Sequence, residues 1–455
     1  MEIVDYIRNG LGNTVVMPIV IFLLSLLLGL GFTKALRAGM LVGIGIISIN
    51  AAVGLLMGAL EPASAALIER TGLQFSTFDL GWVPAAGIAF GTLVGTTLIP
   101  FVLGLNIIML FLRMTKSFNV DIWNYWHLAL SGSMVYFITG GNYWAGILAA
   151  LTHAVYSLLI ADATAPKIQE FLGLPGISIT HGWATTSVPL ILGLNWIFDK
   201  IPGIRDIDID MEGLKKRIGL LGEPFILGAI LGIIIGVGAG MDLGGVAKLT
   251  MILAAAMYLF PRMVGILIEG LGILSKGAQE FFHKNLKGRE TYVGLDSAVL
   301  LGYPGTIVVG VLLIPITIIL AAILPGNTVM PFADLAWCAF FIPMCAPLLK
   351  GNMFRTLITG IFTMAMVLYI ATIFAPAITS FAPEAGVDIS AAAGFPTVTG
   401  LSAGNLVSLI LYQISKVGST VSMAIAFVIS LIVAAVVAVK RERSERAVKA
   451  EGSTN

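Results

Sequence analysis

Four ionisable residues stand inside long apolar stretches of this chain: His127, His181, Glu223 and Asp296. A histidine exchanges protons near neutral pH, and a carboxylate accepts hydrogen bonds from hydroxyl groups or takes a proton from one. Each is costly in hydrocarbon unless it meets a polar partner or lines a hydrated cavity, so each is a candidate site residue. The chemistry they share is recognition of a small polar solute inside an apolar body.

Local sequence refines each candidate. His127 closes the segment Asn119-Val120-Asp121-Ile122-Trp123-Asn124-Tyr125-Trp126-His127, in which Asp121 suits a helix cap and Trp123 and Tyr125 suit a membrane interface. Neither role explains His127, a turn deeper, and Ser131 extends a polar stripe inward on the same face. His181 precedes Gly182, which lets backbone and ligand approach closely; a histidine closing a loop on a carbonyl is the competing reading. Glu223, ahead of Pro224, fits either helix-dipole capping or the binding of a sugar hydroxyl. Asp296, ahead of Ser297, fits a cap or, at the tip of a hairpin in the membrane, a hydroxyl ligand and possible base. Asp79, in Phe78-Asp79-Leu80-Gly81-Trp82, holds the corresponding place earlier in the chain.

The elements that must position these groups are membrane helices. Of the 455 residues 58% are hydrophobic and 11% charged, against about 25% charged in soluble domains. Mean hydropathy is +0.97. The first apolar run is too long for a cleavable signal, and Glu2, Asp5 and Arg8 precede it, so it reads as a first span that stays. Lys34 and Arg37, Arg113 and Lys116, Lys200 to Arg217, Lys276 to Arg289, Lys350 and Arg355, and the tail from Lys440 fall on one side; the acidic segments Glu61 to Asp79 and Glu384 to Asp388 fall on the other. That sorting asks for about eleven crossings, N-terminus outside and C-terminus cytoplasmic.

Residues 77–97, 176–197 and 290–304 carry Gly, Pro and polar groups where a lipid-facing helix could not, and read as re-entrant hairpins. The expected architecture is an all-α polytopic membrane protein, one membrane-embedded domain over 1–439, with two inverted five-helix units at about 1–165 and 220–380. A cytoplasmic connector at 199–217 and a last helix at 404–439 complete it, followed by a disordered cytoplasmic tail, 440–455. A net charge of +1 argues against nucleic acid, and Cys338 and Cys345 read as core residues. No phosphate-binding loop, nucleophile elbow or metal-ligand spacing occurs, so neither a metal nor a cofactor is expected.

The same segments resemble a known family, the membrane IIC component of the bacterial galactitol phosphotransferase system. The resemblance runs through Val120 to Asn124 with Trp126-His127, Gly222-Glu223-Pro224, Gly294-Leu295-Asp296, Pro325-Gly326-Asn327 with Pro331-Phe332, and Gly351 to Ile358. That family is similar to the ascorbate IIC transporters, which are homodimers whose core domain carries two re-entrant hairpins. The resemblance implies uptake of galactitol or a related polyol in the bacterial cell membrane, with a cytoplasmic IIB partner, phosphorylated on its own cysteine by an upstream IIA protein, passing the phosphoryl group to the substrate. The chain would then have no phospho-acceptor of its own and be an enzyme only as part of that complex. By the same similarity His127, Ser131, His181 and Asp296 stand at substrate-contact positions, Ser131 replacing an amide side chain. The competing class is an ion-coupled secondary transporter that releases its solute unmodified.

Overall fold

In hydrocarbon a backbone must satisfy its own N–H and C=O groups, and the apolar runs do so as helices. The computed structural model describes residues 12–71, 75–285, 290–387, 389, 392 and 394–452; Glu2, Asp5, Arg8, Arg289, Asp388 and the last three residues lie outside them. Among the described residues seven helices are long and apolar enough to cross a membrane, within Phe32–Leu67, Leu93–Phe111, Tyr143–Leu172, Leu243–Gly277, Pro304–Ile323, Met353–Glu384 and Leu406–Ser444. Shorter apolar helices fill in, Trp82–Gly91 and Pro224–Gly238 among them. The protein is a helical multi-pass membrane protein.

Two small sheets, which the apolar pattern does not announce, organise the centre. Among the described residues six strands of two to four residues occur: β1 Thr77–Asp79, β2 Ser117–Asn119, β3 Ile177–Ile179, β4 Tyr292–Leu295, β5 Val329–Met330 and β6 Thr397–Thr399. They form two parallel ribbons of order β5-β1-β6 and β2-β4-β3. Each ribbon takes its central strand from one part of the chain and its flanking strands from the other. Side chains reinforce the pairing, with Thr77 Oγ1 2.9 Å from Thr328 Oγ1 and 2.7 Å from Thr397 Oγ1, and Ser117 Oγ 2.8 Å from Ser178 Oγ. Every strand leads within a few residues into a helical or 3-10 turn, so six strand ends converge. β1, β3 and β4 lie in the three stretches singled out from composition; β2, β5 and β6 repeat the form elsewhere.

Packing around the ribbons is close. An added Cβ on Gly132 would stand 2.7 Å from the Gly146 carbonyl oxygen, so helices Trp126–Ile138 and Tyr143–Leu172 cross with backbones nearly in contact. Asn142 caps the second of these through Ala145 N, and Gly173, at φ 64°, ends it in the left-handed conformation. The polar connector is pinned in place: Asn352 Nδ2 donates to the Ile207 carbonyl, Met353 N to the Ile209 carbonyl, and Arg355 holds Asp199 at 2.7 Å. Gly351 to Ile358 therefore includes a clamp on that connector. Cys338 and Cys345 are buried and free.

The last helix, Leu406–Gly452, is interrupted at Gly418 and Ser419, where φ of Ser419 is 47°. Before the break Ser408 bonds Ser131; at it, Ser419 meets Asn142; beyond it, Arg441 reaches Asp162. The chain thus runs back along helix Tyr143–Leu172 to its start, reverses, and follows that helix as far as Asp162. The tail, expected to be disordered from residue 440, continues as helix, because Arg441 is paired 3.0 Å from Asp162 and donates to the Arg113 carbonyl.

Candidate functional site

The converging strand ends enclose a cavity of about 130 Å³. Five of the chain's seven tryptophans line it, Trp82, Trp123, Trp126, Trp183 and Trp337. Its polar groups come from both ribbons: Asn124, His127, His181 and Asp296 from the β2-β4-β3 side, and Asp334 and Ser402 from the β5-β1-β6 side.

His181 caps helix Gly182–Phe198 with its ring, Nδ1 accepting the N–H groups of Trp183 and Ala184 at 3.2 Å each. A ring nitrogen that accepts carries no proton, so neutral His181 holds its proton on Nε2. That nitrogen lies 3.8 Å from Asp296 Oδ1. Asp296 in turn accepts Ala298 N at 2.9 Å and Asn124 Nδ2 at 3.0 Å, and its side chain keeps 43% of its exposure. The His127 ring stacks on Trp126 at 3.6 Å between centroids and faces the His181 ring at 4.7 Å.

Among the described residues four buried polar atoms of the lining have no hydrogen-bond partner: Trp126 Nε1, His127 Nδ1, Trp183 Nε1 and Ser402 Oγ. Buried polar atoms are nearly always paired, so unpaired ones beside a cavity mark it as built for a polar ligand. Indole N–H groups donate only, and with the His181 Nε2–H they ask for acceptor oxygens; Asp296 asks for a donor. A compound bearing several hydroxyls supplies both, and its C–H faces suit the indole walls.

The family profile for the PTS system sugar-specific permease component matches residues 6–393. The chain belongs to that family. An Escherichia coli (strain K12) protein named as a candidate permease IIC component is 43% identical over 442 residues, covering 97% of this chain and 100% of that protein. The galactitol-specific EIIC components of the phosphotransferase systems of Escherichia coli strains K12 and O157:H7 are each 36% identical over 371 residues, 82% of either chain. This sugar-specific permease component is therefore a sugar transporter of the membrane.

Of the residues singled out in the sequence, His127, His181 and Asp296 meet at the cavity of this permease. Ser131 stands behind it, fully buried, its Oγ 2.7 Å from His153 Nδ1 and 2.7 Å from Ser408 Oγ. Asp79 is also buried, its carboxylate occupied by the backbone N–H groups of Gly81, Phe332, Asp334 and Leu401 at 2.9 to 3.1 Å. Glu223 lies apart, 2.7 Å from Lys215 Nζ and making no side-chain cap bond.

Sequence reasoning missed Asp334, whose oxygens accept Trp82 N and Ser402 N at 2.7 Å each. It also missed His153, whose Nε2 donates to the Gly182 carbonyl at 2.9 Å. A carbonyl can only accept, so His153 Nδ1 accepts from Ser131, and Ser408 donates to Ser131. Asn124 carried a signal, lying in the motif that ends at His127. His153 carried none, being a lone histidine in an apolar run.

Proposed function

We propose that the cavity binds galactitol or a related polyol or sugar and presents one hydroxyl to a phosphorylated IIB protein, charged in turn by a IIA protein. The observation that carries this reading is the set of unpaired donors, Trp126 Nε1 and Trp183 Nε1, beside Asp296 in an indole-walled cavity. Membership of the permease family and the names of the galactitol relatives support the substrate class and the relay.

In the transfer, the phosphorus–sulfur bond to the IIB cysteine breaks as the substrate oxygen bonds phosphorus, and the hydroxyl proton passes to a base. Asp296 is that base: its side chain lines the cavity and stays part-exposed, with Oδ1 accepting Ala298 N and Oδ2 accepting Asn124 Nδ2, so neither oxygen is saturated. His181 serves as a fixed donor, its other nitrogen being held by the helix it caps. His127 completes the substrate contacts. Asp79 and Ser131 act behind the wall, and Glu223 in the fold, rather than on the ligand.

The same proposal extends to architecture. Eleven crossings with the N-terminus outside and the C-terminus cytoplasmic, two inverted five-helix units and a terminal helix agree with β1 and β4 each being the centre of its ribbon. The strand-and-turn units at residues 77–97, 176–197 and 290–304 then serve as re-entrant hairpins, and the basic loops with the tail mark the IIB side. A homodimer follows from the ascorbate resemblance.

Uptake of labelled galactitol into vesicles, with and without a phosphoenolpyruvate-driven IIA and IIB relay, tests the reading. Galactitol phosphate formed only with the relay is the expected product. Unmodified galactitol accumulating inside would replace the group-transfer reading with ion coupling.

A further inference from the structure

Behind the substrate cavity lies a second one of about 100 Å³. Trp123, Asn124 and Asp296 belong to both. The remaining walls are aliphatic, among them Ile21, Val42, Ile46 and Leu267, with one exception, Asp121. That residue is 3% exposed; its Oδ1 accepts Asn124 Nδ2 at 2.8 Å, and its Oδ2 is buried with no hydrogen-bond partner. The same Asn124 amide nitrogen donates to Asp296 Oδ2 at 3.0 Å.

One amide group therefore serves two carboxylates, and the deeper of them, on a residue that lines the apolar chamber, keeps one buried oxygen with no partner among the described residues. A buried carboxylate in that setting is strongly unfavourable unless a positive charge balances it, and no lysine or arginine lines the chamber. We propose that the second cavity is a binding site for a monovalent cation, a proton or Na⁺, held between Asp121 and Asp296, and that Asn124 links its occupancy to the substrate cavity. A divalent ion would demand six or so oxygen ligands, far more than these walls supply. Aliphatic walls favour the proton over Na⁺ for the same reason, since a proton needs one carboxylate oxygen and no shell.

The groups that titrate near Asp121 are few. Asp296 faces it across Asn124, and Tyr125, whose hydroxyl donates to the Asn119 carbonyl, stands one turn on. His181 lies beyond Asp296 at 3.8 Å, and His127 beyond His181. Helices Gly12–Leu27, Phe32–Thr71 and Leu243–Asn285 contribute only aliphatic residues to the chamber. The cation site stands without the substrate reading; the link through Asn124 rests on it.

The test uses the full chain in lipid nanodiscs, first without any sugar. Thermal unfolding is followed in NaCl against choline chloride at fixed pH, and across mildly acidic to mildly alkaline buffers without Na⁺, for wild type and Asp121→Asn. A ligand that binds only the folded state raises its midpoint. For a proton, wild type loses stability relative to Asp121→Asn as pH rises; for Na⁺, it loses stability as choline replaces sodium, and the variant does not. A wild-type midpoint indifferent to both, or a variant that keeps the wild-type dependence, overturns the proposal. Should Asp121→Asn fail to fold, Asp121→Ser is compared in its place, and the wild-type result alone can still refute the site. In a second arm galactitol is titrated by tryptophan fluorescence: its Kd weakens up to tenfold per tenfold loss of the cation in wild type and stays constant in the variant. An unchanged wild-type Kd overturns the link, whereas absence of galactitol binding counts against the substrate reading and leaves the first arm to decide the cation site.

Discussion

His181 and Asp296 face each other across 3.8 Å, the histidine with its Nδ1 committed to two backbone N–H groups and the aspartate open to the cavity. That separation is too long for a direct hydrogen bond and leaves both groups available to one ligand hydroxyl. The hydroxyl would accept from His181 and donate to Asp296, the geometry required before its proton is lost.

Asp296→Asn preserves size and the hydrogen bond to a ligand but removes the base. Loss of a positioned base lowers the rate of a proton transfer by about 100-fold or more. Relay-dependent formation of galactitol phosphate is expected to fall by that order while galactitol affinity changes by less than about tenfold. Equal losses in rate and affinity would assign Asp296 to binding alone.

His153 holds the residue that follows His181. Its Nε2 holds the carbonyl of Gly182, which Asn405 Nδ2 also holds at 3.2 Å. His153→Gln keeps an amide donor near the Nε2 position, whereas His153→Asn keeps a group near Nδ1 and abandons Gly182. Galactitol Kd should stay close to wild type in the first and weaken about fivefold in the second, the worth of one hydrogen bond. Indistinguishable variants would show that the Gly182 contact does not matter for affinity.

Trp183 offers an indole N–H with no partner among the described residues. Trp183→Phe removes the donor and keeps most of the wall. A loss of about 1 kcal/mol in galactitol binding, roughly fivefold in Kd, is expected from calorimetry, with little change in thermal stability.

Much of the fold and part of the site were legible in the sequence. Long apolar runs gave the helices because hydrocarbon leaves the backbone no other partner, and His127, His181 and Asp296 stood out because charge is rare in such runs. β5 and β6 were not legible: strands of two and three residues are too short for any period, and they form only because β1, more than 250 positions earlier, is there to pair with them. Asp79 and Ser131 were polar and deep, as read, but whether a buried polar group faces a cavity or its own backbone depends on contacts such as Asp79 with Leu401, which no local pattern encodes. The reversal at Gly418 and Ser419 was hidden because both arms are apolar helix.

Asp162 and Arg441 tie the last helix to the start of β2. Asp162 keeps three other donors, Thr115 Oγ1, Lys116 N and Ser117 Oγ, so Arg441→Ala strands no bare charge. A loss of about 1–2 kcal/mol is expected, smaller than for a pair with no other partners. A double-mutant cycle with Asp162→Asn, read by thermal unfolding in detergent, should show positive coupling; additive losses would deny the pair any role.

Gly132 has no room for a side chain between Val94 and the Gly146 carbonyl. Gly132→Val is expected to cost about 1–3 kcal/mol by overpacking or to abolish folding, measured as loss of monodisperse protein on gel filtration. Wild-type behaviour would mean that the two helices separate more readily than their contact suggests.

The interlacing of the two ribbons has a bearing on how the protein is made. Thr77 leaves the ribosome some 320 residues before Thr397, its partner across the ribbon, so at about 5–20 residues per second β1 waits some tens of seconds for its second neighbour. Until Val329 is made neither edge of β1 has its ribbon partner, and until Thr397 is made one edge stays open. On the re-entrant reading proposed for residues 77–97, lipid offers that open edge no partner, so insertion keeps the segment in a wet or protein-lined shelter until nearly the last span has been translated, and a nascent chain arrested before residue 397 should remain bound to the insertion machinery rather than pass into the bilayer.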